Sequence, residues 1–343
     1  MIQTFPQNTK RENYLDVGKG IAIFFVVIGH ARGLPLLELK LIFSFHVPYF
    51  FFLSGWTVGL SPSKKNPIQF VTKQFSRLII PYIFFFLLGY VYWLLTRHIG
   101  VKQLQWGMYT WWDPLRGLFT GMGDLLYVSP GLWFLPCLFL TKTFFCLLSV
   151  FATKEILFIL LSIIAYVLLS LCSEKMSLLP FSASLMPVTL FFYSLGQLMS
   201  KYNHWLFRKK WIPVAILFVS VVPWFFLSIR NAQLDLNLLK FGNSTNQFFP
   251  ETILGISIFT SLSIILRNNR FLSRMGKKTL SILGSHLLVF SLFSGIFSAL
   301  GLKQNMITAF ATTLVALGIA SVLQYIFEKK LPWVVGLKTA TAS

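Results

Sequence analysis

Charge is scarce in this chain, and negative charge is scarcest. Of its 343 residues 12% are charged, and 10 Asp and Glu stand against 30 Lys and Arg, for a net +20. A water-facing surface needs about a quarter of its residues charged, so a soluble globule is excluded. The mean hydropathy of +0.70 agrees. The 37 Phe, 10 Trp and 11 Tyr require apolar surroundings, and a bilayer supplies them. In a soluble protein such a positive balance would suggest nucleic acid. In a membrane protein it reports cytoplasmic loops beside anionic headgroups. The basic loops are interrupted by apolar runs and carry no aromatic groove, so nucleic acid is not expected as a partner.

Cysteine is also rare. Cys137, Cys146 and Cys172 fall in apolar stretches and imply neither a disulfide nor a metal framework. There is no Walker-type loop, no HExxH, no Cys pair at metal spacing and no Gly-x-Ser-x-Gly elbow. ATP-driven transport and soluble-hydrolase chemistry therefore lose support. Repeats and low-complexity tracts are missing too. The polar opening MIQTFPQNTKREN leads into an apolar run that contains Asp16 and Lys19 and lacks a cleavage site, which predicts a retained first span.

Apolar runs long enough to cross about 30 Å of hydrocarbon occur at 14–31, 41–60, 77–96, 131–152, 155–172, 181–200, 211–229, 248–266, 279–300 and 305–327. The expected fold is all-α: a polytopic bundle of about ten transmembrane helices over 14–327, with tails at 1–13 and 328–343. The boundary at Ala152 to Glu155 is the softest. Counting cations between spans gives 19 on the side of the N-terminus and 9 on the other. By the positive-inside rule both termini are then cytoplasmic. The two largest outer loops hold Trp106, Trp111, Trp112, Asp113, Asp124 and Asp235. Aromatic and acidic groups suit a sugar, although tryptophan at an interface also serves as a belt anchor.

Charged or titratable groups inside a span cost about 2.5 to 3.5 kcal/mol each at its centre and call for a partner or a task. The first span has Asp16, Lys19 and His30. Lys19 and His30 lie eleven residues apart, about 20° from a whole number of turns, so they share a face about 16.5 Å apart along the axis. Asp16 lies one turn below Lys19 and can neutralise it. The second span adds His46 in the run Phe43 to Trp56, at the same depth by topology. Imidazole can take a proton from a hydroxyl near neutral pH, the demand of acyl transfer onto a sugar alcohol. The plainer alternative is a snorkelling Lys19 paired with Asp16 and histidines that are merely hydrogen-bonded. At the mouth of the third span Lys73 and Arg77 stand one turn apart, with Lys64 and Lys65 upstream. Such cations can clamp phosphate oxygens, or simply anchor the cytoplasmic side. Ser54-Gly55 reads as a site of close helix packing.

These residues together resemble acyltransferase family 3, membrane proteins that O-acylate bacterial surface carbohydrates, including fucose 4-O-acetylase-like members. The resemblance runs from Arg11 to about Lys330. It is carried by Arg11, Tyr14, Leu15, Asp16, Lys19-Gly20-Ile21, Val26-Val27 and Gly29-His30, and by Phe45-His46-Val47-Pro48 with Phe51-Phe52-Leu53-Ser54-Gly55. Weaker matches are Arg77-Leu78 with Pro81-Tyr82, Leu132-Trp133-Phe134-Leu135, and Leu280-Ser281 with His286. The chain departs from the family in having Lys73 and Arg77 four apart where members often show two arginines three apart.

The resemblance implies an enzyme of the cell (inner) membrane. It would move an acyl group, acetyl foremost, from cytoplasmic acyl-CoA to a surface polysaccharide or lipid-linked sugar. Lys73 and Arg77 would hold the CoA phosphates and the pantetheine arm would rise along the Lys19 face. His30 would be the general base and His46 would orient it or stabilise the oxyanion. Acetyl-CoA is thus the expected donor and no metal is expected. Direct transfer and an acyl-histidine stage remain alternatives. Many members carry a fused hydrolase-like domain, so the expectation is that this chain acts alone or hands its acyl group to a separate extracytoplasmic partner. The alternative function is a polysaccharide or lipid-linked glycan exporter, against which the absence of paired broken helices and of intramembrane acid chains speaks.

Overall fold

The computed structural model describes residues 13–60, 66–121, 123–172 and 179–336. The N-terminal tail with Arg11, the pair Lys64 and Lys65, and the C-terminal residues from 337 on lie outside the described residues, as do the side chains of Asp124 and Cys172. Among those described, the regular elements are helices: α1 Asn13–His30, α2 Leu36–Phe43, α3 His46–Gly59, α4 Pro67–Thr96, α5 Val101–Trp106, α6 Asp113–Thr120, α7 Phe134–Leu148, α8 Lys154–Cys172, α9 Met186–Phe207, α10 Trp211–Arg230, α11 Thr245–Ile265, α12 Arg270–Lys277, α13 Thr279–Ala299 and α14 Met306–Lys330. Nine segments within them are long and apolar enough to span a membrane, α2 and α3 counting as one. The chain is a multi-pass membrane protein. The polar α1 is the tenth long helix and does not meet that apolar criterion, because Asp16, Lys19 and His30 occupy its 18 residues.

The ends of these helices follow their local chemistry. α4 starts ten residues before the apolar run because the Asn66 side chain accepts from the Ile68 amide at 3.0 Å and Pro67 follows it, a favourable first-turn arrangement. Asn305 and Thr308 form a reciprocal capping box on α14. The boundary after α7 is real, with Ser149 to Thr153 separating it from α8. The second span is broken at Ser44 and Phe45, so α3 begins at His46 itself. Pro48, in the first turn of α3, costs no helix bond there, since its amide would be unpaired in any case.

Burial sorts the helices. Thirteen of the 18 residues of α1 are buried, whereas only 22% of the spanning windows of α8 and α10 are. α1 packs against α3, α11, α12, α13 and α14, which makes it the axis of the bundle and leaves α8 and α10 toward lipid. Two crossings bring backbones into direct contact. A Cβ on Gly55 or Gly196 would stand 2.0 Å from the Tyr193 or Phe52 carbonyl oxygen, locking α3 to α9. A Cβ on Gly20 would stand 2.0 Å from the Leu272 oxygen, and one on Gly276 1.7 Å from that of Asp16, locking α1 to the short α12. Small residues are what permits such approach in a bilayer. Gly55 thus serves the close packing that the sequence suggests.

Gly276→Ala should lower the thermal midpoint of the purified protein, because overpacking against backbone costs about 1 to 3 kcal/mol. Gly318→Ala, within α14 and with nothing within 4 Å of the new methyl, should leave the midpoint unchanged or raise it. Equal midpoints for the two variants, measured by intrinsic fluorescence on heating, would contradict the crossing.

Candidate active site

His46 is the first residue of α3, just after the break. His46 is buried and its Nδ1–H donates to the Ile42 carbonyl at the end of α2, at 2.7 Å. A carbonyl only accepts, so Nδ1 carries the proton and Nε2 presents a lone pair. His30, the last residue of α1, is half-buried. Its ring lies 6.2 Å from that of Phe43, which in turn lies 4.9 Å from that of His46.

Three cavities share His30. The first, of about 340 Å³, extends from Lys19, Arg77 and Lys277 at one end to His30 and His46 at the other. Its walls include Ser54, Leu78, Trp133, Phe134 and Leu280. The second, of about 550 Å³, lies beyond the histidines among Trp106, Tyr109, Trp133 and Asp235. The third, of about 230 Å³, runs from His30 past Arg32, Trp93 and Lys102. A thioester arm in the first cavity and a hydroxyl in either of the others would meet at the same imidazole. That arrangement suits a proton transfer coupled to acyl transfer.

The placement of the predicted site residues is uneven. Lys19, His30, His46 and Arg77 line the first cavity together. Asp16 is buried one turn from Lys19, with its carbonyl against Gly276. Lys73 stays one turn from Arg77 on α4 and is exposed, outside the side chains that line the cavity. Lys277, at the end of α12, lines the cavity together with Arg77. Lys142 of α7 donates to the Gln74 side chain at 3.2 Å and lies within electrostatic reach of Lys19 and Arg77. No spacing in the sequence singles out Lys142. Of the outer-loop residues, Trp106 and Asp235 reach a cavity, whereas Trp111 and Trp112 stack on each other at 3.8 Å and are exposed.

His286 is the most consequential residue that the sequence underweighted. It is fully buried on α13, with its ring 5.4 Å from that of His30. Its Nδ1–H donates to the Ile282 and Leu283 carbonyls at 3.0 and 2.9 Å, and its Nε2 has no partner among the described residues. The nearby Gly131 carries no side chain, and a Cβ there would stand 3.5 Å from the imidazole. His30 of α1 thus has His286 of α13 beside it and His46 of α3 across the Phe43 ring. The only sequence signal for His286 was its place in a weak motif.

The acyltransferase-domain profile matches residues 12–325. The chain belongs to acyltransferase family 3. Residues that carry the family's patterns, Lys19, His30, His46, Ser54, Arg77, Trp133 and Leu280, fall on the wall of the first cavity. The nodulation protein NolL of Mesorhizobium japonicum is 26% identical over 225 residues, which cover 61% of this chain and 54% of NolL. The chain therefore spans about half the length of that curated relative. No solved structure matches it.

The far wall of the second cavity is the loop 231–244, and one side chain organises it. Asn231 donates from Nδ2 to the buried Glu251 at 2.6 Å, and its Oδ1 accepts from the Ala232 and Asn243 amides at 2.9 and 2.7 Å. Gly242, at φ +81, passes so close to Asn231 that a Cβ would fall 2.3 Å from Oδ1. The same loop presents Gln233, Asp235 and Asn237 to the cavity. Asn231→Ala would strand the Glu251 carboxylate and release both amides, each buried loss costing about 1 to 3 kcal/mol. The expected result is a lower thermal midpoint and faster proteolytic cleavage within 231–244. Cleavage at the wild-type rate would show that the loop is held by other contacts.

Proposed function

We propose that this protein is an integral membrane O-acyltransferase. It takes an acyl group, acetyl foremost, from acyl-CoA and passes it to a hydroxyl of a surface polysaccharide or lipid-linked sugar. The observation that carries this reading is the meeting of three cavities at His30. The cationic end of the first, with Lys19, Arg77 and Lys277, suits the phosphates of CoA. Its Lys19-to-His30 length, about 16.5 Å by helical rise, is of the order of an extended pantetheine arm. By the positive-inside count that end faces the cytoplasm and the acceptor end lies on the other side of the cell membrane.

The chemistry is then a single displacement or two. His30 takes the proton of the acceptor hydroxyl as its oxygen attacks the thioester carbonyl. The tetrahedral intermediate collapses, the carbon–sulfur bond breaks, and the imidazolium returns a proton to the departing thiolate. In a two-step variant the imidazole carries the acyl group between donor and acceptor. The protonation pattern of His46 suits a neutral acceptor of hydrogen bonds, so it orients the hydroxyl or His30. As a neutral imidazole it has no proton left to offer an oxyanion.

His30→Ala should abolish acyl transfer while leaving a folded, inserted protein. Losing a general base costs about 10² to 10⁴ in rate, and more if the residue carries the acyl group. Turnover per folded molecule, measured with acetyl-CoA and isolated surface glycan on protein matched for monodispersity and thermal midpoint, decides the matter. Near-normal turnover would refute the assignment and turn attention to His46. The donor end makes a separate expectation. Arg77→Gln should raise the apparent KM for acyl-CoA about tenfold, the loss of one charge-assisted contact. Lys73→Gln, off the cavity wall, should change it by less than twofold, as for an exposed charge. Equal effects at the two positions would favour a surface clamp over the cavity.

A further inference from the structure

The two cavities beyond His30 differ in charge. The larger is lined by Asp235 together with amides and aromatic rings, and among the described residues no lysine or arginine lines it. The smaller is lined by Arg32 and Lys102, and among the described residues no carboxylate lines it. They are not separate rooms, because His30, Gln105, Trp106, Tyr127 and Pro130 belong to both. The short α5 stands between them, presenting Lys102 to one and Gln105 and Trp106 to each.

The two cations are held in place without being neutralised. Arg32 donates from Nη1 to the Ser294 hydroxyl at 2.9 Å. Lys102 donates from Nζ to the Tyr92 hydroxyl at 2.6 Å and lies 4.4 Å from the centroid of that ring. All these partners are neutral, and neither cation has a carboxylate partner among the described residues. Most of the arginine's five N–H donors remain unspent. Tyr127, on the wall common to both cavities, adds a third unused donor, since its hydroxyl has no partner among the described residues. Burial pushes its phenol above the usual range, so it keeps its proton at physiological pH. Two cations on one partly enclosed wall repel each other, and an anion bridging them removes that cost.

We infer that the acceptor is a phosphate-bearing glycan bound in two parts. Arg32 and Lys102 hold the phosphate in the smaller cavity, while the neutral sugar ring lies in the larger one against Trp106 and Asp235. The reacting hydroxyl is thereby presented where the cavities join, at His30. Arginine and lysine together are a common answer to phosphate oxygens, and an aromatic face with an acid beside it is suited to the C–H and O–H faces of a sugar. The phosphate is either the diester that ties a glycan to a lipid or a substituent on the glycan itself. The inference rests on the acyl-transfer reading for what happens at His30, but the binding it describes requires no acyl chemistry.

The test is a binding measurement on the full chain in neutral phosphatidylcholine nanodiscs, without acyl-CoA. The probes are methyl glucoside, glucose 1-phosphate and the octyl phosphodiester of glucose. Wild-type protein should bind glucose 1-phosphate roughly tenfold or more tightly than methyl glucoside, as a charge-assisted pair of contacts predicts. The double variant Arg32→Gln, Lys102→Gln should lose that preference while keeping its affinity for methyl glucoside, and Arg32→Lys should recover part of it. Replacing Lys209 and Lys210 with Gln, which line none of the three cavities that share His30, should leave the preference in place. Tighter binding of the octyl diester than of glucose 1-phosphate assigns the phosphate to a lipid linkage, and equal binding assigns it to the glycan. Either result upholds the bipartite site. No phosphate preference in wild type, or a preference that survives in the double variant, overturns it. Because no acyl donor is present, a failure of the His30 assignment would leave this result untouched.

Discussion

The constraint on which the rest of the structure depends is that α1 must be kept out of lipid. A helix that carries Asp16, Lys19 and His30 is costly against hydrocarbon chains, and the remaining helices resolve this by enclosing it. The glycines at positions 20 and 276 let α12 lie backbone to backbone on α1, and α3, α11, α13 and α14 cover the other sides. Enclosure by helices of finite packing precision leaves cavities along the polar face. Two of the residues that make α1 unfit for lipid, Lys19 and His30, therefore line the passage beside it. Stability and site share one origin, so substitutions at the α1 crossings are expected to affect both together.

The break between α2 and α3 is the second device. The His46 ring holds the Ile42 carbonyl four residues back across the break, as the His286 ring holds that of Ile282 within the continuous α13, and His46 lines two of the cavities. Unwound backbone at membrane depth is tolerated only where it lines a cavity or is buried in protein. Its presence here marks the site as clearly as the histidine does. The loop 231–244 closes the opposite wall, two of its amides tied through Asn231 to Glu251 of α11. Glu251 thus finds a structural partner, in keeping with the sequence argument against a chain of intramembrane acids.

What the sequence determined by itself is everything set by local spacing and by the cost of charge in lipid. The span positions follow from the length of apolar runs, and the shared face of Lys19 and His30 follows from helical geometry alone. The common depth of His30 and His46 follows from the short connection between their helices. The motifs around them were legible for the same reason, each lying within one run of chain. What only the tertiary structure decided is which distant runs touch. His286 lies 256 positions after His30 in the chain, and no periodicity within α13 indicates that its ring turns toward α1 rather than toward lipid. Lys277 joins Arg77 at the cavity mouth where two glycines meet, a fact about two helices that neither helix records alone. The charge difference between the two cavities beyond His30 has the same source. Arg32 and Asp235 are loop residues and Lys102 and Trp106 sit on the short α5, and such connecting segments take their direction from the elements they must join, which the packing of the bundle sets.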